Sequence, residues 1–389
     1  MITILYKLIS TLIYYGLFYG ISYLFFCKCD DAIAKNNKKL EVISAALGIF
    51  VLCLFAGLRA DTVGTDVRLY ALSTFRDALN KPLIPFLSRH SDMVIFAAIA
   101  YISANLFNSF HVFLFLIQLT IIYPVYKFIR LNSDYISIKY SMLVYLLLFF
   151  PMSFNIMRQS MACAVLLVGS YYLQHEKFLK FFFYAALAVL MHNTAAIGII
   201  FFLIAYSTKV ITKARVLYVI DGIVILAILF AAKNWLPLVN WLIYTAHVLP
   251  AKVSYYVTVF SESTIGKDAY FQIGLYDYVS IALRGLFLIV SLNNLKGLKS
   301  RYYYSNLVMV SFVMFCVCLF TFHTSFAYRI TMFTDYPLVY TLGVGLHSIN
   351  GSVTRFYKKD LVRFCLLLAY FFLVYFYFGA HGAVPYSIG

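Results

Sequence analysis

The chain has 389 residues, of which 63% are hydrophobic and only 12% are charged, and its formal net charge is +16. An ordinary soluble domain carries about 25% charged residues, so a soluble fold of this size could not cover so much apolar surface, whereas lipid can. The charges fall in short clusters between long apolar runs, which argues against nucleic acid as their partner and is typical of membrane-protein loops. The 7 cysteines show no metal-ligand spacing, so we expect neither a metal nor another cofactor.

The apolar runs predict the fold class. A spanning helix needs about 20 apolar residues, and the runs that reach or approach this length are 2–26, 41–58, 109–130, 138–154, 158–174, 214–233, 273–294, 302–322, 329–347 and 361–379. Residues 92–107 predict a re-entrant or interfacial helix, and residues 178–206 predict two short helices that meet at His192. We therefore expect an all-α, polytopic membrane helix bundle that forms one transmembrane domain over residues 1–389, with about 12 crossings.

The loop charges predict the orientation. If loop 27–40, which carries four lysines, lies in the cytoplasm, alternation makes every cytoplasmic loop basic and leaves both termini outside, together with outer loops 59–92 and 234–272. Arginine dominates the outer side, at Arg59, Arg68, Arg76, Arg89, Arg158, Arg284 and Arg329. Guanidinium groups suit bidentate contact with phosphate, so these residues indicate an anion site. The alternative is snorkelling at helix ends, with salt bridges to nearby aspartates.

Three stretches carry residues suited to chemistry. The loop after the second span reads RADTVGTD over residues 59–66, with Tyr70 downstream; its spacing alone favours an ordinary solvated loop. Arg158 and Gln159 open the fifth span, where an ionisable residue within the membrane is a functional candidate and the helix N-terminus attracts anions. His192 interrupts an apolar stretch, and its unperturbed pKa of about 6.5 suits proton transfer.

Two further sites lie in the second half of the chain. His323 and Arg329 stand at the outer start of a predicted span. Asp277 and Arg284, seven residues apart, lie on one face of the ninth span, where a structural ion pair is the simpler interpretation.

Three of these stretches together resemble the EpsG-like branch of the Wzy O-antigen and capsule polymerases. GLRADTVGTDVRLY is similar to that family's GxRxxxGTD pattern with a downstream Tyr, although Val67 stands where an aromatic residue commonly follows the Asp. FNIMRQSMACAVLL is similar to its Arg-Gln helix start. HEKFLKFFFYAALAVLMHNTAAI is similar to its basic loop, short helix and His-x-[ST]-A sequence, and the order of the three matches. The C-terminal half matches poorly.

The resemblance implies a GT-C-like polymerase of the bacterial inner membrane with its active site facing the periplasm. Such an enzyme transfers a growing glycan from undecaprenyl pyrophosphate to the non-reducing end of a lipid-linked repeat unit, beside a flippase and a chain-length regulator. On this hypothesis four arginines contact the pyrophosphate without a metal, and a base accepts the acceptor's hydroxyl proton, His192 being slightly favoured over Asp66. The assigned residues are Arg59, Arg158, Arg329 and Arg284 for pyrophosphate; His192, Asp66 and Asp61 for catalysis; and Gln159, Tyr70, His323 and Asp277 for other substrate contacts.

Other functions remain open at this point. An O-antigen ligase would share the lipid donor and the need for outer arginines, but would use lipid A core as its acceptor. A lipid-linked oligosaccharide flippase or transporter would be expected to show repeated halves and broken helices, and we find no clear internal repeat. A membrane acyltransferase is a weaker option.

Overall fold

The computed structural model describes residues 2–207, 274–294, 301–321, 324–344 and 358–389, and these residues are predominantly helical with no β-strand. The predicted span 214–233, the predicted outer loop 234–272 and His323 lie outside the described residues. The described helices are α1 Ile2–Ser10, α2 Gly16–Ala34, α3 Lys38–Gly57, α4 Ser73–Asn80, α5 Leu83–Arg89, α6 Val94–Phe107, α7 Phe110–Leu131, α8 Ile138–Leu148, α9 Met157–Gln174, α10 Phe178–Met191, α11 Ala195–Ser207, α12 Leu275–Asn294, α13 Arg301–Thr321, α14 Thr324–Asp335, α15 Leu338–Val344 and α16 Lys358–Tyr370.

Several described helices are long and apolar enough to span a membrane. The spans Leu5–Ala34, Lys38–Gly57, Phe110–Leu131 and Leu275–Leu292 meet this test among the described residues, and four shorter apolar helices accompany them. The all-α membrane fold is therefore supported, whereas the number of crossings stays a prediction.

Two segments that were predicted as membrane loops contain helices in the structure. α1 continues through a π-helical turn, Thr11–Tyr15, into α2, so much of the predicted loop 27–40 is helical. The predicted outer loop 59–92 contains a π-helical turn, Val67–Leu72, followed by α4 and α5. Both segments are polar enough to resemble loops, but their local periodicity and packing favour helix.

Both irregular segments consist of short helices in the structure. α10 and α11 meet at His192, which has extended backbone angles. α5 and the segment Ser91–Phe107 are bent by 79° at His90. α6 has 14 residues, a length of about 21 Å, which is short of the roughly 30 Å hydrocarbon core.

Contacts at both ends of α6 place those ends on one side of the bundle. Met93, just before α6, contacts Arg158 at the start of α9. After α6 the chain enters α7, whose His111 Nδ1 lies 2.8 Å from the carbonyl oxygen of Gly57 at the end of α3. The end of α3 and the start of α9 both lie beside the loop of residues 59–66, so they are at the same end of the bundle. α6 therefore starts and finishes at that end, as an interfacial helix would.

Loops predicted on the same side of the membrane meet in the structure. At the end predicted to be cytoplasmic, Asp30 accepts hydrogen bonds from the backbone N–H groups of Ile138 (2.9 Å) and Lys139 (3.2 Å), and Glu41 pairs with Arg130 at 2.6 Å. Asp30 satisfies a helix N-terminus, and the buried Glu41 carboxylate pairs with a half-buried guanidinium. The predicted outer loops converge at the opposite end, where the candidate site lies.

α9 is the central helix of the described bundle. It packs against α7, α10, α11 and α14, and its residues 159–170 are buried. Gly198 of α11 allows one of these contacts, because a Cβ there would lie 2.7 Å from Phe333 and 2.9 Å from Leu166. This packing fixes the direction of α9, so its first turn presents Arg158 and Gln159 at the predicted outer end.

Candidate active site

A cleft opens at the N-terminal end of α9. The segment before α4, α6, the first turn of α9, the α10–α11 connection and α14 all contribute to its wall. The lining residues are Asp66, Tyr70, Phe96, Asn155, Ile156, Met157, Arg158, Gln159, His192 and Arg329. Six of these were predicted from the sequence as site residues.

The RxDxxGTD loop folds onto the turn that precedes α9. Gly64 has φ +97°, and a Cβ at this position would lie 2.5 Å from the carbonyl oxygen of Phe154. Only glycine combines this backbone conformation with so close an approach. The Asn155 Oδ1 then accepts hydrogen bonds from the Asp66 backbone N–H (2.6 Å) and the Thr65 hydroxyl (2.7 Å). These contacts position Asp66 so that its carboxylate lines the cleft.

Arg158 lies in the first turn of α9 and is half-buried. Its Nη1 is 3.2 Å from the Met93 sulfur, and its Cζ is 5.4 Å from the centre of the exposed Tyr70 ring. Neither contact neutralises the guanidinium. The partial positive charge of the helix N-terminus adds to its attraction for an anion.

Arg329 reaches the same cleft from α14. Gln159 holds it there, because the Gln159 side-chain amide donates a hydrogen bond to the Arg329 backbone carbonyl. Within the part of the chain that the structure describes, neither Arg158 nor Arg329 forms an ion pair. Two guanidinium groups without an ion pair therefore face the cleft, together with the Asp66 carboxylate, and they suit contact with phosphate oxygens.

The cleft shifts the pKa values of its two candidate bases in opposite directions. Burial raises the pKa of Asp66 above its ordinary value, although Arg329 and Arg158 act to lower it. Burial, followed by the same two arginines, lowers the pKa of His192 to about 4. At neutral pH His192 is therefore uncharged and weakly basic, whereas the Asp66 carboxylate is a stronger base than an exposed aspartate.

The structure does not bring Arg59 to the cleft. Arg59 is fully buried, its Cζ lies 4.7 Å from the centre of the Phe154 ring, and it donates to the carbonyl oxygen of Ala56. Burial lowers its pKa to about 10. Its Nη2 also lies 3.4 Å from the Met157 sulfur, so Arg59 connects the RxDxxGTD loop to the turn that precedes Arg158.

Three other predicted residues also lie elsewhere. Asp61 is at the surface, 2.9 Å from Arg68 Nη2. Arg284 pairs with Asp335 at 2.8 Å, and not with Asp277, which accepts a hydrogen bond from the Gly274 N–H at the start of α12. Sequence spacing could place these residues on the outer side, but it could not show which acidic and basic side chains would pair.

Sequence reasoning missed four residues that line the cleft, namely Phe96, Asn155, Ile156 and Met157. The only available signal was that Asn155 opens the stretch containing Arg158. The C-terminal residues also reach the site region: Gly382 accepts a hydrogen bond from the Gly64 N–H at 2.9 Å. No pattern in the sequence predicted this return of the chain.

The described residues contain no group of three or more His, Cys, Asp or Glu side chains that could hold a metal ion. The positive charge found in the cleft comes from the two arginines and from the N-terminus of α9.

Comparison with known proteins places the chain in a family. Residues 42–388 match the model described as the EpsG family. This range includes the RxDxxGTD loop, α9, His192, Arg329 and the C-terminal residues. Neither a curated protein nor a solved structure matches the chain.

Proposed function

Because the chain belongs to the EpsG family, a family of polysaccharide polymerases, we propose that it polymerises lipid-linked glycan repeat units on the periplasmic face of a bacterial inner membrane. The donor is a nascent glycan on undecaprenyl pyrophosphate, and the acceptor is the non-reducing end of a newly delivered lipid-linked unit. The observation that carries this proposal is the convergence of Arg158 and Arg329 on one cleft with no ion pair to a described carboxylate.

The reaction needs charge stabilisation and one proton transfer. The acceptor hydroxyl oxygen attacks the anomeric carbon of the donor, and the bond from that carbon to the pyrophosphate oxygen breaks. The electron pair leaves with undecaprenyl pyrophosphate, where Arg158 and Arg329 neutralise the developing charge. Asp66 accepts the hydroxyl proton. The product is a glycan longer by one repeat unit, still attached to the acceptor's lipid.

The preferred base changes from His192 to Asp66 on the strength of the cleft's electrostatics. A general base works best when its pKa lies near the working pH. Burial raises the pKa of Asp66 toward neutral pH and lowers the pKa of His192 away from it. We assign His192 instead to donating a hydrogen bond to substrate in its neutral form. Tyr70 offers an exposed ring beside Arg158 on which a sugar face can pack.

The site's position fits a lipid-borne diphosphate. The cleft lies at the end of the bundle formed by the predicted outer loops, beside the short helix α6. A diphosphate at the membrane surface would reach Arg158 while its lipid tail stayed in the bilayer. The flippase and the chain-length regulator are the partners expected for such an enzyme.

The test is chain growth by the purified protein in lipid nanodiscs, supplied with a synthetic undecaprenyl-pyrophosphate repeat unit. The proposal predicts a ladder of longer lipid-linked glycans. Arg158→Ala and Arg329→Ala should each slow growth by about 100- to 1000-fold, since each removes a donor to the leaving group's charge. Arg89→Ala is the matched control, because Arg89 is an exposed outer arginine that contacts Asp77 and does not line the cleft.

Rival activities give different results in the same system. Transfer only when lipid A core is added would indicate a ligase. Movement of lipid-linked units across vesicle membranes, with no chain growth, would indicate a flippase. Normal growth by both arginine variants would overturn the proposed site even if the wild-type protein makes polymer.

A further inference from the structure

The C-terminal segment, residues 379–389, lies along the loop that carries the RxDxxGTD motif. Three backbone hydrogen bonds join the segment to the loop: Gly64 N–H to Gly382 O (2.9 Å), Ala60 N–H to Ser387 O (2.8 Å) and Gly389 N–H to Leu58 O (3.0 Å). The loop is thus bonded on one side by the C-terminal segment and on the other by Asn155. Main-chain pairing of this kind limits the backbone angles available to both partners.

Asn155 also connects the loop to a side chain of the C-terminal segment. Its Oδ1 already accepts from Asp66 and Thr65, so its Nδ2 faces away from the loop, 3.5 Å from His381 Nδ1. An amide nitrogen only donates, and therefore His381 Nδ1 is the acceptor and the ring proton lies on Nε2. This tautomer is assigned from the hydrogen-bond pattern.

The backbone at His381 is held in an unfavourable conformation. Its φ is +63°, in the left-handed region, between Gly379 at +65° and Gly382 at +60°. A residue with a Cβ is strained there, and such strain persists at functional sites where the surroundings impose it. The half-buried ring lies beside Asn155 and Tyr375, near the charge of Arg329; burial and then Arg329 lower the pKa of His381 to about 4, so the ring is neutral.

Building on the function proposed above, we propose that the C-terminal segment is part of the catalytic unit, with Asn155 and His381 as positioning residues. Asn155 orients the backbone that presents Asp66, and His381 fixes the orientation of Asn155. Neither residue needs to touch the reacting atoms for its loss to slow the reaction, because small displacements of a base are costly.

Two substitutions at position 381 separate a positioning role from a purely structural one. His381→Asn keeps an acceptor close to the position of Nδ1, and asparagine tolerates the left-handed region. His381→Gly relieves the backbone strain fully and removes the acceptor. We expect His381→Asn to retain kcat within about threefold, and His381→Gly to lose about 10- to 100-fold in kcat with an unchanged KM for the donor.

Thermal unfolding and amide exchange show whether these losses come from position or from unfolding. His381→Gly should unfold at a temperature no lower than the wild type, while the amides of residues 58–68 exchange faster. Asn155→Ala combined with His381→Gly should lose no more activity than the worse single variant, since both act through one connection.

Three outcomes would overturn the proposal: full kcat in His381→Gly, an equal loss in His381→Asn, or unchanged amide exchange in the loop. The exchange measurement needs no turnover. A wild-type protein that makes no polymer would therefore count against the proposed function, while loop exchange in the two variants would still decide the role of His381.

Discussion

At the residue scale, Asp66, Arg158 and Arg329 line one cleft, whereas Arg59 is buried nearby against Phe154. Arg158, Gln159 and His192 were predicted because polar residues interrupting apolar runs are costly without a purpose. The structure brings these residues together with Asp66 and Arg329 in one cleft. Arg59 was grouped with them because it lies on the same side, but its burial against Phe154 depends on tertiary packing that no spacing rule contains.

Substitution of the two candidate bases distinguishes their roles. Asp66→Asn should lower kcat by about 100- to 10000-fold, because the hydroxyl proton then has no acceptor. His192→Gln should lower it by less, because an amide can still donate a hydrogen bond. Asp61→Asn is the control, since that carboxylate lies at the surface with Arg68. A larger loss in His192→Gln than in Asp66→Asn would return the base assignment to His192.

The wild-type enzyme should lose activity at acidic pH. Asp66 acts when deprotonated, and its pKa is raised, so activity should be lost as pH falls through a value above that of an exposed aspartate. Bound pyrophosphate neutralises the arginines that act to lower this pKa. The acid limb of kcat should therefore lie at higher pH than the limb of kcat/KM. Coincident limbs would contradict this electrostatic account.

At the element scale, the lengths of the apolar runs predicted the positions of most described helices, while the packing partners had to come from the structure. α10 and α11 meet at His192 as predicted, because an apolar stretch too long for one span is broken by polar residues. The predicted span 329–347 is instead divided between α14 and α15, and Pro337 lies at the break, where it cannot continue a hydrogen-bonded helix.

The ion pair between α12 and α14 gives a test at this scale. Arg284 contacts Asp335 at 2.8 Å and stacks 4.1 Å from the centre of the Phe315 ring on α13. Arg284→Ala should lower the free energy of unfolding by about 3–5 kcal/mol, since a buried carboxylate loses its partner. The folded fraction should keep its turnover rate. Replacing both residues, as Arg284→Met with Asp335→Leu, should recover much of the stability.

Denaturant unfolding in detergent, together with turnover per folded molecule, checks this prediction. Full stability combined with lost turnover in Arg284→Ala would restore Arg284 to the substrate site. Lost stability without lost turnover would leave it as a link between helices.

At the scale of the whole molecule, the amino-acid composition alone predicted a membrane protein. The charges of the loops divided them into two groups, and contacts in the structure join loops of the same group. The contacts of Asp30 and Glu41 join loops assigned to one side, and the cleft joins loops assigned to the other. The C-terminal segment escaped prediction because its attachment to residues 58–64 relies on backbone hydrogen bonds, which carry no side-chain signature.

The central claim is that Arg158 and Arg329 bind a lipid diphosphate together, and equilibrium binding tests it most directly. The measurement compares undecaprenyl pyrophosphate with undecaprenyl monophosphate, using wild-type protein and the Arg158→Ala, Arg329→Ala and Arg89→Ala variants in nanodiscs. We predict tighter binding of the diphosphate by the wild type and by Arg89→Ala, and a loss of about tenfold or more in each cleft variant. Equal affinity for the two lipids, or diphosphate binding unchanged in both cleft variants, would contradict the account.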